Sequence, residues 1–158
     1  MNLSIPEYLT PYDLLAPAAD AAGRTSSYLS LKGAVKAWIE VHINQGNAAT
    51  ILLSPLQATA VAGTGSKAIS AARIWTKLDE ASTDFAKQTE AATYTTDAAT
   101  KKKIVIFEID PVKVFDVAGG FDCIAVSTGA SNVANITSAR LWIEQKHAGA
   151  TVTSPLTD

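Results

Sequence analysis

Two histidines, one cysteine and a scatter of carboxylates are the side chains with which this chain could do chemistry. A nucleophilic relay needs a base within hydrogen-bond reach of the nucleophile and an acid to orient the base. His42 falls in the middle of an alternating segment, His147 lies far away after the last one, and no Gly-x-Ser-x-Gly elbow is present. Zinc requires clustered Cys and His, which one Cys and two distant His do not provide. Cys123, flanked by Phe121, Asp122 and Ile124, reads as a small buried hydrophobe. Gly63-Thr64-Gly65-Ser66-Lys67 has the residues of a phosphate loop in the wrong order. Asp110, Asp116 and Asp122 recur every six residues, which matches no calcium-loop spacing and suits turns. The sequence therefore assigns no catalytic, cofactor-binding or metal-ligating residue, and the expectation is a non-enzyme that needs no cofactor.

The more informative side chains are three tryptophans. Lys36, Trp38 and Glu40 share one parity, with Ala37, Ile39, Val41 and Ile43 on the other. Arg73, Trp75 and Lys77 repeat the pattern against Ala72, Ile74 and Leu78, and Arg140, Trp142 and Glu144 repeat it against Ala139, Leu141 and Ile143. Side chains in a strand alternate between faces with a period of two. Each tryptophan thus stands among charges on a face turned away from the core, where it either lies beneath Lys and Arg stems or forms a surface covered by a partner. Three repeats favour the covered surface and make Trp38, Trp75 and Trp142 candidate partner-binding residues.

The elements that carry them read as strands. Segments 28–32, 35–44, 50–53, 58–61, 68–78, 103–109, 112–115, 123–127 and 136–146 are separated by Gly-, Pro- and Asn-bearing turns, with a break at Ser54-Pro55 between the third and fourth. The run Ile104 to Phe107 predicts a strand buried on both faces, and Glu108 within it faces a subunit boundary or pairs with a lysine. Residues 82–96 fit a short helix capped by Ser82 and a strand equally well. About eight antiparallel strands with short turns give an all-β β-sandwich or jelly roll, and the lack of crossover helices excludes a parallel α/β fold. Residues 1–26, broken by Pro6, Pro11 and Pro17, read as an extended N-terminal arm. Its anchors are Tyr8, Tyr12 and Leu15, and Arg24 marks its junction, so these four join the partner-binding set. Residues 27–148 form the sandwich and 149–158 a flexible C-terminal tail.

The 158 residues suffice for one cored domain. Charged residues are only 18% and the formal net charge is −2, so nothing points to nucleic acid. The Lys101-Lys102-Lys103 run reads as a solvated strand end. The sequence shows no basic signal region and no apolar run of membrane length, so neither export nor membrane insertion is expected.

Residues 15–28 (LAPAADAAGRTSSY), 41–50 (VHINQGNAAT), 104–111 (IVIFEIDP) and 116–132 (DVAGGFDCIAVSTGASN) resemble segments of tailed-bacteriophage virion proteins of the capsid decoration, or cement, type. The likeness spans roughly residues 15–146. It implies a homo-oligomer, trimer or dimer, that binds the major capsid protein on the capsid exterior after synthesis in the bacterial host cytoplasm. It implies no catalytic residues. The alternative is a carbohydrate-binding adhesion module on a head fibre or tail, since a row of tryptophans can stack on sugar rings.

Overall fold

The computed structural model describes residues 5–146 and 154–158. His147 and residues 149–153 of the expected tail lie outside them, as do residues 1–4 of the arm. The described residues form twelve strands: β1 (Leu9–Ala19), β2 (Arg24–Thr25), β3 (Leu29–Ser30), β4 (Ala34–Gln45), β5 (Leu52–Ala58), β6 (Lys67–Ala68), β7 (Arg73–Lys77), β8 (Ala86–Lys87), β9 (Tyr94–Thr95), β10 (Lys102–Ile109), β11 (Cys123–Thr128) and β12 (Asn135–Gln145). Two helical turns, α1 (Ile5–Tyr8) and α2 (Pro111–Val114), complete the set with a 3-10 turn at Val117–Gly119. A front sheet runs β1-β12-β4-β10-β7-β8 and a back sheet β2-β11-β5-β6, with β3 against β11 and β9 against β5. All strand pairs are antiparallel, so the all-β sandwich is the observed fold.

Alternation builds the core. Ile39, Val41 and Ile43 of β4, Val105, Phe107 and Ile109 of β10, and Leu141 and Ile143 of β12 point inward and are buried. They meet Leu53, Ile124 and Val126 from the back sheet, and each such side chain contributes about 1.5–3 kcal/mol through burial.

Several segments differ from their sequence reading. Ser54-Pro55 does not break the chain into separate strands: β5 runs through it. Both backbone groups of Val126 are taken by Ser26: its carbonyl accepts from the Ser26 amide and its amide donates to the Ser26 hydroxyl. Pro55, paired with Val126, therefore turns its nitrogen away from β11, into the gap between the residues that pair with β9 and those that pair with β6. No ladder bond is lost there. Residues 68–78 are two strands in different sheets, because the chain crosses between layers at Ile69–Ala72. Residues 112–115 hold no strand: Pro111–Val114 form a helical turn, with Pro111 placed where a missing N–H costs nothing. Residues 82–96 hold no helix, only β8, β9 and a bridge from Ala91 to Ala72. Lys103 is not solvated: it is fully buried, donating to Gln45 Oε1 at 2.8 Å and to Asp97 Oδ1 at 2.7 Å. That hydrogen bond holds the Asp97 carboxyl below its usual range.

The segment expected as an arm is extended and lies along its own domain. β1 pairs with β12 from Leu9–Glu144 to Ala19–Ile136, slipping register after Asp13 and again after Leu15. Leu14 and Leu15 drop into the core. At the other terminus, Pro155 is buried and its carbonyl accepts from the Ser30 amide at 2.8 Å.

Candidate functional site

The outward parity of the front sheet collects the three tryptophans. Trp142 on β12 stands directly beside Trp38 on β4, and Trp38 stands beside Glu108 on β10. One row along, Arg140, Glu40, Ile106 and Trp75 follow one another across β12, β4, β10 and β7. All three tryptophans are half-buried, as are Ile104 and Ile106. β10 is thus not buried on both faces. Its second apolar parity is laid open on the outer surface, because among the described residues only one side of the front sheet has a layer packed against it.

Two carboxylates fix two of the three indoles. Glu108 accepts from Trp75 Nε1 at 2.9 Å, from Lys36 Nζ at 2.9 Å and from Arg73 Nη1 at 3.2 Å. Burial raises the Glu108 carboxyl, but the hydrogen bonds from Lys36 and Trp75 and the charges of Lys36 and Arg73 outweigh it and hold the group below its ordinary value. Glu40 accepts from Trp142 Nε1 at 2.8 Å and lies 3.0 Å from His42 Nε2. Lys36 Nζ sits 5.2 Å from the Trp38 ring centre, within cation–π range. Ile5, Leu9, Trp38, Glu40, Ile106 and Trp142 line an open, mainly apolar concavity of about 340 Å³. The arrangement is an aromatic surface with the Trp75 and Trp142 indoles already held, which lowers the ordering cost of covering it.

The remaining sequence candidates divide. Tyr8 is exposed beside this concavity's rim residue Leu9. Tyr12 packs against the core and Leu15 lies in it. Arg24 serves the interior of the chain. Its guanidinium donates to Asp20 Oδ1 at 3.1 Å, to the Ala16 carbonyl at 2.8 Å and to Thr137 Oγ1 at 2.8 Å. Asp20, fully buried, also accepts from the hydroxyls of Thr128, at 2.7 Å, and Thr137. This network ties β1 and β12 of the front sheet to β2 and β11 of the back sheet. Gly23 permits it: its φ is +72°, and a Cβ there would stand 2.6 Å from the Thr128 carbonyl oxygen.

Residues with chemical potential elsewhere are occupied structurally. The Cys123 thiol is buried, with its pKa pushed up to about 12 by burial and by Asp122. Asp116 accepts from the Gly119 amide and from Lys67. Among the described residues, no three His, Cys, Asp or Glu side chains are grouped to hold a metal ion, and no helix is long and apolar enough to cross a membrane.

No family model and no curated protein matches the chain. Among solved structures it is similar to the SPBc2 prophage-derived protein YomS, at 6% identity over 86% of this chain and 93% of that one, with a TM-score of 0.48. It is also similar to a putative sugar binding protein from Bacteroides thetaiotaomicron VPI-5482, at 9% identity over 78% and 66%, with a TM-score of 0.30. The empty head of turnip yellow mosaic virus follows at 12% identity over 97% and 89%, with a TM-score of 0.20. At these scores the likenesses establish neither a shared fold nor a shared function.

Proposed function

We propose that this chain is a non-enzymatic structural protein of a bacteriophage virion, one that oligomerises and binds the outer surface of the capsid, steadying contacts between capsomers. The observation that carries the reading is the aromatic outer face of the front sheet: Trp38, Trp75 and Trp142, with Ile104 and Ile106 between them, on a sheet whose other side already holds the core. Such a face, in which aromatic and aliphatic side chains alternate with charges, is of the kind that a partner covers. The resemblance of four segments to capsid decoration proteins supplies the partner, the major capsid protein. Symmetric copies multiply a modest contact through multivalency.

Co-sedimentation of the purified protein with capsids that lack it tests this reading. Saturable binding is expected, and Trp38→Ala or Trp142→Ala should weaken it by about 2 kcal/mol, roughly thirty-fold, with the thermal melt unchanged. The concavity between Trp38 and Trp142 also suits a stacked sugar ring, with Glu40 at hand to accept from a hydroxyl. Binding to glycans and none to capsids would establish that second reading and overturn the first.

A further inference from the structure

We propose that two copies of this chain join edge to edge through β8, antiparallel about a two-fold axis that passes through Ala86 and stands perpendicular to the front sheet. The inference rests on the reading above for its oligomer, gives that oligomer a surface, and leaves the aromatic face free for the shell.

β8 ends the front sheet, and no described strand lies beyond it. In an antiparallel ladder successive residues turn their N–H and C=O groups to opposite sides. Gln88 donates to the Ile74 carbonyl at 2.8 Å, and the register sets Lys87 beside Trp75 and Ala86 beside Thr76. Ala86 and Gln88 thus face β7, while Phe85 and Lys87 turn their backbone groups to the open edge. Every residue from Glu80 to Lys87 is exposed. Ala86 is among them although it has the core parity, so the back sheet stops short of this edge and leaves room beside it. The other end of the front sheet is different. β1 carries Pro11 and Pro17 and slips register twice, which blunts it. β8 has neither proline nor register slip.

Self-pairing then fixes the register. About an axis through Ala86, Phe85 stands opposite Lys87 of the second copy and exchanges both backbone bonds with it, on each side of the axis. Ala86 meets Ala86 on the axis, where facing side chains come closest and a methyl fits. An axis through Lys87 would set ammonium against ammonium. An axis through Phe85 would set Lys87 against Thr83, which is folded back into a turn with Asp79. Lys87 forms no ion pair among the described residues. A lysine guards an edge where it would meet another charge. Here its stem lies on the outward face between Trp75 of the adjacent β7 and Phe85 of the second copy, placed for a cation–π contact. A two-fold perpendicular to the sheet keeps both outer faces on the same side. Trp38, Trp75 and Trp142 of the two copies then share one broad surface, and the dimer grips a shell with both faces at once.

Sedimentation equilibrium of the full chain at concentrations up to about 1 mM tests the pairing. The edge is short, so the wild type is expected to form a weak dimer. Lys87→Pro removes an outward N–H and no bond to β7. It should weaken the dimer about ten-fold or more, since the bond is lost on both sides of the axis, with the thermal melt unchanged. Phe85→Lys sets like charges opposite one another and should weaken the dimer as well. Adding Lys87→Glu to Phe85→Lys should recover most of that loss, which a folding defect would not do. A monomer at every concentration, a trimer, or a dimer indifferent to Lys87→Pro and to the charge exchange would overturn the pairing. The readout is self-association alone. A monomeric protein that still co-sediments with capsids therefore overturns the pairing and leaves capsid binding standing. A dimer that answers to these variants but ignores capsids supports the pairing and removes the virion reading.

Discussion

Buried and half-buried ionic side chains divide the labour in this chain. Asp20 is a fully buried carboxylate whose countercharge is Arg24. Removing one partner of a buried pair strands the other, at about 3–5 kcal/mol. Arg24→Ala is expected to lower unfolding stability by about 3 kcal/mol in a denaturant titration, an effect on the fold and not on a contact surface. Glu108 works differently, on the outer face. Its carboxyl titrates lower in the folded chain than in the unfolded one, so its contribution is complete above the ordinary glutamate range, about 4.3, and is lost as pH falls through the folded value. Acidification below that range should lower stability and alter the emission of Trp75, whose indole Glu108 holds. In Glu108→Gln the pH dependence over that window should shrink. The two residues also differ in legibility. Glu108 stands out in the sequence as a charge in an apolar run. Arg24 does not show its role there, because Ala16, Asp20, Thr128 and Thr137 converge on it only after both sheets have formed.

At the scale of elements, alternation is enough to place the three tryptophans outward and the core inward, since period-two patterning is local and the front-sheet strands are long. It fails where tertiary pairing decides the structure. Residues 68–78 read as one strand because nothing local signals a crossing between sheets. β8 and β9, two residues each, have no period at all. Lys103 reads as solvated because its acceptors, Gln45 and Asp97, are distant in the pattern and meet it only in the folded chain. The apolar outward parity of β10 is visible in the sequence, yet it reads as burial when it is an open surface. β1 is the element with the clearest consequence. Its prolines at 11 and 17 suit a loose arm, but they sit on an edge strand, where a missing N–H is tolerated and the free edge is blunted. Deleting residues 1–19 removes Leu14 and Leu15 from the core and exposes the flank of β12. The expected loss is about 4 kcal/mol or more, from the two leucines alone, seen as a lowered melting temperature. A truncation that left the melt unchanged would mean β1 adds nothing to the fold.

The whole molecule has one sheet face turned to a complete core and the other lined with tethered indoles. A sandwich of two sheets needs only one inner face per sheet, so apolar content on the outer parity of β4, β7, β10 and β12 reads as preparation for assembly. The most direct measurement is hydroxyl-radical footprinting of Trp38, Trp75 and Trp142, in the free monomer and in virions that carry the chain. Strong protection of all three in the virion is the expected result, with labelling in the monomer as for half-buried indoles. Equal labelling in both would contradict the account, because it would leave the aromatic face open to solvent in the finished particle.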